Sequence, residues 1–157
     1  MTPLRAAVVL EVLASRGQTL AAAESLTGGL LAATIVDVPG ASRVFRGGLV
    51  VYATDLKATL AGVPSDLLRA HGPVHPDTAA ALARGARIRC GADWGLATTG
   101  VAGPDPQDGV PVGTVYVAVS HVTSGEVVRL DLAGTRAEIR AGAVDGALDL
   151  LAAALGR

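Results

Sequence analysis

Residues 21–29 read Ala-Ala-Ala-Glu-Ser-Leu-Thr-Gly-Gly, and the rest of the chain is arranged around this stretch. The apolar run Thr19 to Ala23 is short and uncharged, the pattern of a strand buried on both faces. Leu30, Leu31, Thr34 and Ile35 then recur at helical spacing. Ser25 is therefore placed at a strand-to-helix turn. A helix beginning near Thr27 would turn unpaired N–H groups and the positive end of its dipole toward that turn, and Gly28 and Gly29 would let a ligand approach the backbone. Such a place suits an anion or a developing oxyanion. The same residue types also serve as plain helix caps and strand-end hydrogen-bond partners, and neither GxGxxG nor GxxxxGK[ST] occurs here.

Outward from this turn, strands alternate with helices. Toward the N-terminus, Thr2 and Pro3 open an amphipathic helix that stops at Gly17. Toward the C-terminus, the helix after Gly29 ends near Asp37, ahead of Pro39-Gly40. Phe45 to Tyr52 reads as a second strand whose Gly47-Gly48 pair predicts a bulge or a close backbone approach. Thr54 caps a short helix carrying Lys57, Pro64 to His71 forms another, and Pro76 to Arg89 a longer one. Trp94 to Gly100 is a third strand. The Gly-, Pro- and Asp-rich loop after it, residues 101–113, has the length and polarity of a site lid. Gly113 to His121 and Glu126 to Leu132 form an antiparallel hairpin turning at Thr123-Ser124-Gly125, and Thr135 caps a last helix to Leu155. The pattern predicts one domain over residues 1–157, a mixed sheet sandwiched between helix layers.

Composition narrows the class. With 157 residues, the chain is long enough for one full core. Half of it is hydrophobic but only 3% is aromatic, so Ala, Val and Leu must fill that core. A net charge of −1 provides no basic field for nucleic acid and no polybasic membrane segment. Cys90, the only cysteine, excludes an intramolecular disulfide and reads as a small core hydrophobe. No apolar run reaches spanning length and the first helix does not resemble a signal peptide, so a cytoplasmic protein acting on a small molecule, and assembling with copies of itself, is expected.

Three strand ends carry polar groups: Ser25 with Thr27, Tyr52 with Lys57, and Thr98 with Thr99. If those strands are parallel neighbours, their carboxyl ends share one crevice. Lys57 is the only lysine. Burial would depress its pKa and let it serve as the base for a serine nucleophile, whereas on spacing alone it is equally a solvated helix residue. His71, His75 and His121 read as helix-end or solvated residues, and no HExxH or other ligand spacing calls for a metal.

The blocks AAESLTGG (22–29), GGLVVYATDLKATLAGV (47–63), HGPVHPD (71–77), TTGVAGPDP (98–106) and PVGTVYVAV (111–119) together resemble the C-terminal domain family of the competence-damage-inducible protein CinA. Stand-alone members of that family act as nicotinamide-nucleotide amidases. The resemblance implies a three-layer α/β/α fold with a mixed five- or six-stranded, anticodon-binding-domain-like sheet. It further implies hydrolysis of nicotinamide mononucleotide to nicotinate mononucleotide and ammonia, with no cofactor. By the same resemblance Ser25 is the nucleophile, Lys57 its partner and Tyr52 a second relay or orienting group. Glu24, Thr27, Gly28, Gly29, Thr99, Gly100 and Gly103 surround the substrate, and Arg140 holds the phosphate. The chain departs from common family wording at Leu26, where many members have cysteine, and at Ala53-Thr54-Asp55, where many have Ser-Asn-Glu. The second departure lies beside Tyr52 and Lys57. A nucleotide-binding module without hydrolysis and a competence-related accessory protein are the rival readings.

Overall fold

The computed structural model describes residues 1–157. Five strands form one mixed sheet: β1 (Leu20–Glu24), β2 (Phe45–Val50), β3 (Trp94–Gly100), β4 (Thr114–His121) and β5 (Ser124–Asp131), in the order β2-β1-β3-β4-β5. β1 pairs in parallel with both β2 and β3, and β4 and β5 complete the sheet antiparallel. Helices cover both faces, giving five strands of the expected five or six.

β1 is the hub, and its sequence shows why. Leu20 and Ala22 face a core built by α1 (Thr2–Ser15), α2 (Leu30–Val36) and α6 (Arg136–Ala154). Ala21 and Ala23 face the opposite core, under α5 (Pro76–Arg89) with α3 (Thr54–Thr59) and α4 (Ser65–His71) at its margin. A strand buried on both sides has no polar alternation to show, hence the uninterrupted apolar run.

The second core is thin. Its sheet side is Ala21, Ala23, Ala97 and Ala118, and α5 lies so close that a Cβ at Gly95 would collide with the Ala83 carbonyl oxygen, and one at Gly85 with the Ala61 carbonyl oxygen. Small residues are thus demanded by the spacing between layers, which accounts for the shortage of aromatics.

Boundaries differ from the sequence reading where backbone conformation intervenes. α2 begins at Leu30, not near Thr27, because Gly28 (φ 56°) and Gly29 (φ 106°) are left-handed and outside any right-handed helix. The N-cap of α3 is Ala53, with Thr54 as its first residue and no side-chain cap. β2 ends at Val50, so Tyr52 stands in the loop. The pairing of His121 with Ser124 tightens the hairpin turn to Val122-Thr123. The expected bulge is present: Leu20 pairs with Phe45 but Ala21 with Gly47, leaving Arg46 extra. Cys90 is the half-buried C-cap of α5 rather than a core residue. Thr135 does cap α6, its hydroxyl accepting from the Glu138 N–H at 3.2 Å.

Candidate active site

The parallel trio β2-β1-β3 delivers its carboxyl ends to one side of the sheet, with β1 in the middle. A cleft of about 710 Å³ opens there, lined by Ser25, Lys57, Tyr52 and Arg136 and walled by the loops around Pro73 and Gly100–Gly103. Ser25 follows the last residue of β1. Its N–H donates to the Thr98 carbonyl at 3.0 Å and the Glu24 carbonyl accepts from Val51 at 2.9 Å, so both neighbouring strands fix its position.

Lys57 reaches this point from the first turns of α3 and is only 1% exposed. Its Nζ lies 3.0 Å from Ser25 Oγ, 2.8 Å from the Val51 carbonyl oxygen and 3.3 Å from that of Tyr52. No carboxylate forms an ion pair with it. Burial without a counter-charge pushes the ammonium down from its ordinary 10.5 to about 8. The partners also settle the orientation of the neutral amine. Carbonyl oxygens only accept, so its two N–H bonds point to Val51 and Tyr52 and its lone pair faces the serine hydroxyl. That is the geometry of a general base on a serine nucleophile.

The turn after Ser25 is fastened from two sides. Glu24 is fully buried and its carboxylate accepts from Thr27 Oγ1 at 2.6 Å, from the Leu31 N–H at 2.8 Å and from the Ala32 N–H at 3.0 Å. Thr27 Oγ1 also lies 2.8 Å from Thr98 Oγ1. On the other side Arg140, on α6, donates from Nε to the Leu26 carbonyl and from Nη2 to the Thr27 carbonyl, both at 2.9 Å. The Gly28 N–H returns to the Ser25 carbonyl. Among the turn amides, those of Leu26, Thr27 and Gly29 have no acceptor in the protein, and of these residues only Leu26 lines the cleft.

Residues 3–155 match the sequence profile of the CinA C-terminal domain. The chain belongs to the CinA C-terminal domain family. A CinA-like protein of Frankia casuarinae is 55% identical over 145 residues, which cover 92% of this chain and 33% of that protein. A CinA-like protein of Myxococcus xanthus is 47% identical over 150 residues, 93% of this chain and 35% of its own length. This chain thus spans about a third of the curated relatives it matches. Among solved structures, the competence/damage inducible protein CihA from Agrobacterium tumefaciens superposes with a TM-score of 0.94 at 32% identity, over 99% of this chain and 96% of that one. A CinA superfamily protein from Klebsiella pneumoniae gives 0.95 at 30% identity, over 99% and 98%.

Within this CinA domain the residues singled out from sequence divide into two groups. Ser25, Lys57, Tyr52, Gly100 and Gly103 line the cleft. Glu24, Thr27 and Thr99 do not reach it. All three are fully buried, the first two in the network beneath the turn and Thr99 donating to the Pro73 carbonyl at 2.6 Å. Gly28 and Gly29 shape the turn without lining the cleft, and the helix N–H groups expected to meet an anion are already taken by the Glu24 carboxylate. Arg140 spends its guanidinium on two carbonyls, away from the cleft lining. Arg136 was missed. It opens α6, donating from Nη1 to the Gly103 carbonyl at 2.6 Å and from Nη2 to the Tyr52 hydroxyl at 3.1 Å. Only its position four residues before Arg140, one helical turn earlier on the same face, marked it in the sequence. The Tyr52 side chain accordingly meets Arg136, while its backbone carbonyl meets Lys57.

Proposed function

We propose that this CinA domain is a nicotinamide-nucleotide amidase that hydrolyses nicotinamide mononucleotide through an acyl-serine. The observation that carries the reading is the buried, uncompensated Lys57 amine 3.0 Å from Ser25 Oγ at the floor of an open cleft. Structural lysines are seldom buried without a counter-ion, and perturbed groups of this kind concentrate at reacting centres.

The chemistry follows from the donors and acceptors. Neutral Lys57 takes the Ser25 proton as Oγ attacks the carboxamide carbon, and the C=O electron pair moves onto oxygen. The unpaired N–H of Leu26, a residue that lines the cleft, is the donor for that oxyanion, and one such donor is worth about 3 kcal/mol. Lys57, now an ammonium, gives its proton to the departing nitrogen, which leaves as ammonia and leaves an ester on Ser25. Water enters, loses a proton to Lys57 and releases the carboxylic acid, restoring the serine. No step requires a metal or an organic cofactor. Arg136, the cleft's second cation, is suited to the phosphate because a guanidinium can bind two of its oxygens together. That role replaces the one expected of Arg140.

The test is to incubate the purified protein with nicotinamide mononucleotide and measure ammonia and nicotinate mononucleotide, with Ser25→Ala alongside. Release by the parent and none by the variant supports the proposal. Nucleotide binding without release by the parent contradicts it and leaves a binding module.

A further inference from the structure

A second cluster of coordinating groups lies on the outer side of the wall formed by residues 71–77. His71 ends α4, His75 is the N-cap of α5 and Asp77 stands in that helix's first turn. One donor atom from each falls within 4.8 Å of the other two. In the sequence His71 and His75 read as helix-end or solvated residues. The left-handed Gly72 (φ 75°) folds the chain back so that the two imidazoles stack at 4.0 Å between centroids.

The geometry points to a binding site for a divalent transition-metal ion of the zinc type, held by His71, His75 and Asp77. His75 Nδ1 lies 3.9 Å from Asp77 Oδ2. Two ligands at about 2.0–2.1 Å from a tetrahedral ion stand about 3.3 Å apart, so a small closure brings this pair into range. At present Nδ1 accepts only a 3.1 Å hydrogen bond from the Asp77 N–H, which an ion would displace. His71 is exposed and its ring, now only 12° from parallel to that of His75, is free to turn its in-plane lone pair toward the same point. The Asp77 carboxylate offsets the positive end of α5, which would otherwise oppose a cation. Imidazole nitrogen and carboxylate oxygen suit zinc, nickel or copper better than magnesium or calcium. Three protein ligands leave a position for water.

The role is a brace. Residues 72–74 join the two histidines, Pro73 and Val74 line the cleft, and the Pro73 carbonyl accepts from Thr99. An ion at this site would fix that wall without taking part in the reaction.

Equilibrium dialysis of the protein against zinc chloride tests the site, with His71→Ala and His75→Asn alongside; asparagine keeps a side-chain acceptor for the helix cap. One zinc ion per chain at micromolar affinity, weakened about tenfold or more in each variant, is expected. The imidazole NMR signals of His71 and His75 in the parent protein should shift on zinc addition while those of His121, packed at a tilt against Trp94, stay in place. The proposal is overturned by absence of saturable binding below about 100 μM, by variants that bind zinc as tightly as the parent, or by imidazole signals that do not move.

Discussion

Two arginines on one face of α6 look interchangeable and are not. Arg140 grips the backbone of the Ser25 turn, so its loss should loosen Ser25 and the Leu26 amide without touching substrate. We predict that Arg140→Ala lowers kcat on the order of tenfold and moves KM by less than about twofold. Arg136 lines the cleft and joins Tyr52 to the Gly103 loop. Arg136→Ala should raise KM for the nucleotide on the order of tenfold with a smaller effect on kcat. Steady-state kinetics of both variants distinguishes the roles, and the reverse pattern would exchange them. Lys57, the only lysine, was legible in the sequence as a candidate base for Ser25, but spacing alone left it equally a solvated helix residue. What suits it to the proposed role of base is burial without a counter-charge and two carbonyls that orient its lone pair, neither of which has a sequence signature.

At the level of elements, β1 and its turn were read from the apolar run and the glycine pair because both are local features. The boundaries that moved did so for local reasons too, left-handed glycines shifting the start of α2 to Leu30. What could not be read was which groups each loop turns inward. Glu24 and Thr27 sit beside Ser25 in sequence yet point beneath the turn, because the first N–H groups of α2 attract the carboxylate. The contact of α5 with the sheet was also invisible, since it depends on Gly95 meeting a helix that ends just before it in the chain. Gly95→Ala must push the Ala83 backbone away and should destabilise by about 2–3 kcal/mol, read as a lower denaturant midpoint with an unchanged slope. A substitution at exposed Gly17 that fills open space is the matching control for close packing, although its φ of 64° adds strain of its own.

Over the whole molecule, the buried lysine is a standing cost to folding. Below pH 8 Lys57 is protonated in both the folded and unfolded chain, and the folded state carries the full penalty of burying that charge. Between about 8 and 10.5 the unfolded chain still holds a proton that the folded one has released, so stability rises with pH through this window. The fall from 10.5 to about 8 amounts to about 3 kcal/mol. Lys57→Met lacks this dependence. The difference in unfolding free energy between parent and variant should therefore shift by about 3 kcal/mol toward the parent from pH 8 to 10.5, whatever the variant loses through the vacated carbonyls. Denaturant titrations at both ends of the window measure it, and a constant difference would mean that the buried amine titrates normally.

On the proposed mechanism the same titration governs the reaction. Ammonia release from nicotinamide mononucleotide should be measured from about pH 6 to pH 10, with Lys57→Met beside the parent. If neutral Lys57 is the base for Ser25, kcat/KM rises with pH and levels off above an apparent pKa of about 8, and the variant loses the activity. A parent rate that does not change through this range, or a variant that keeps the parent rate, would contradict the Ser25–Lys57 dyad.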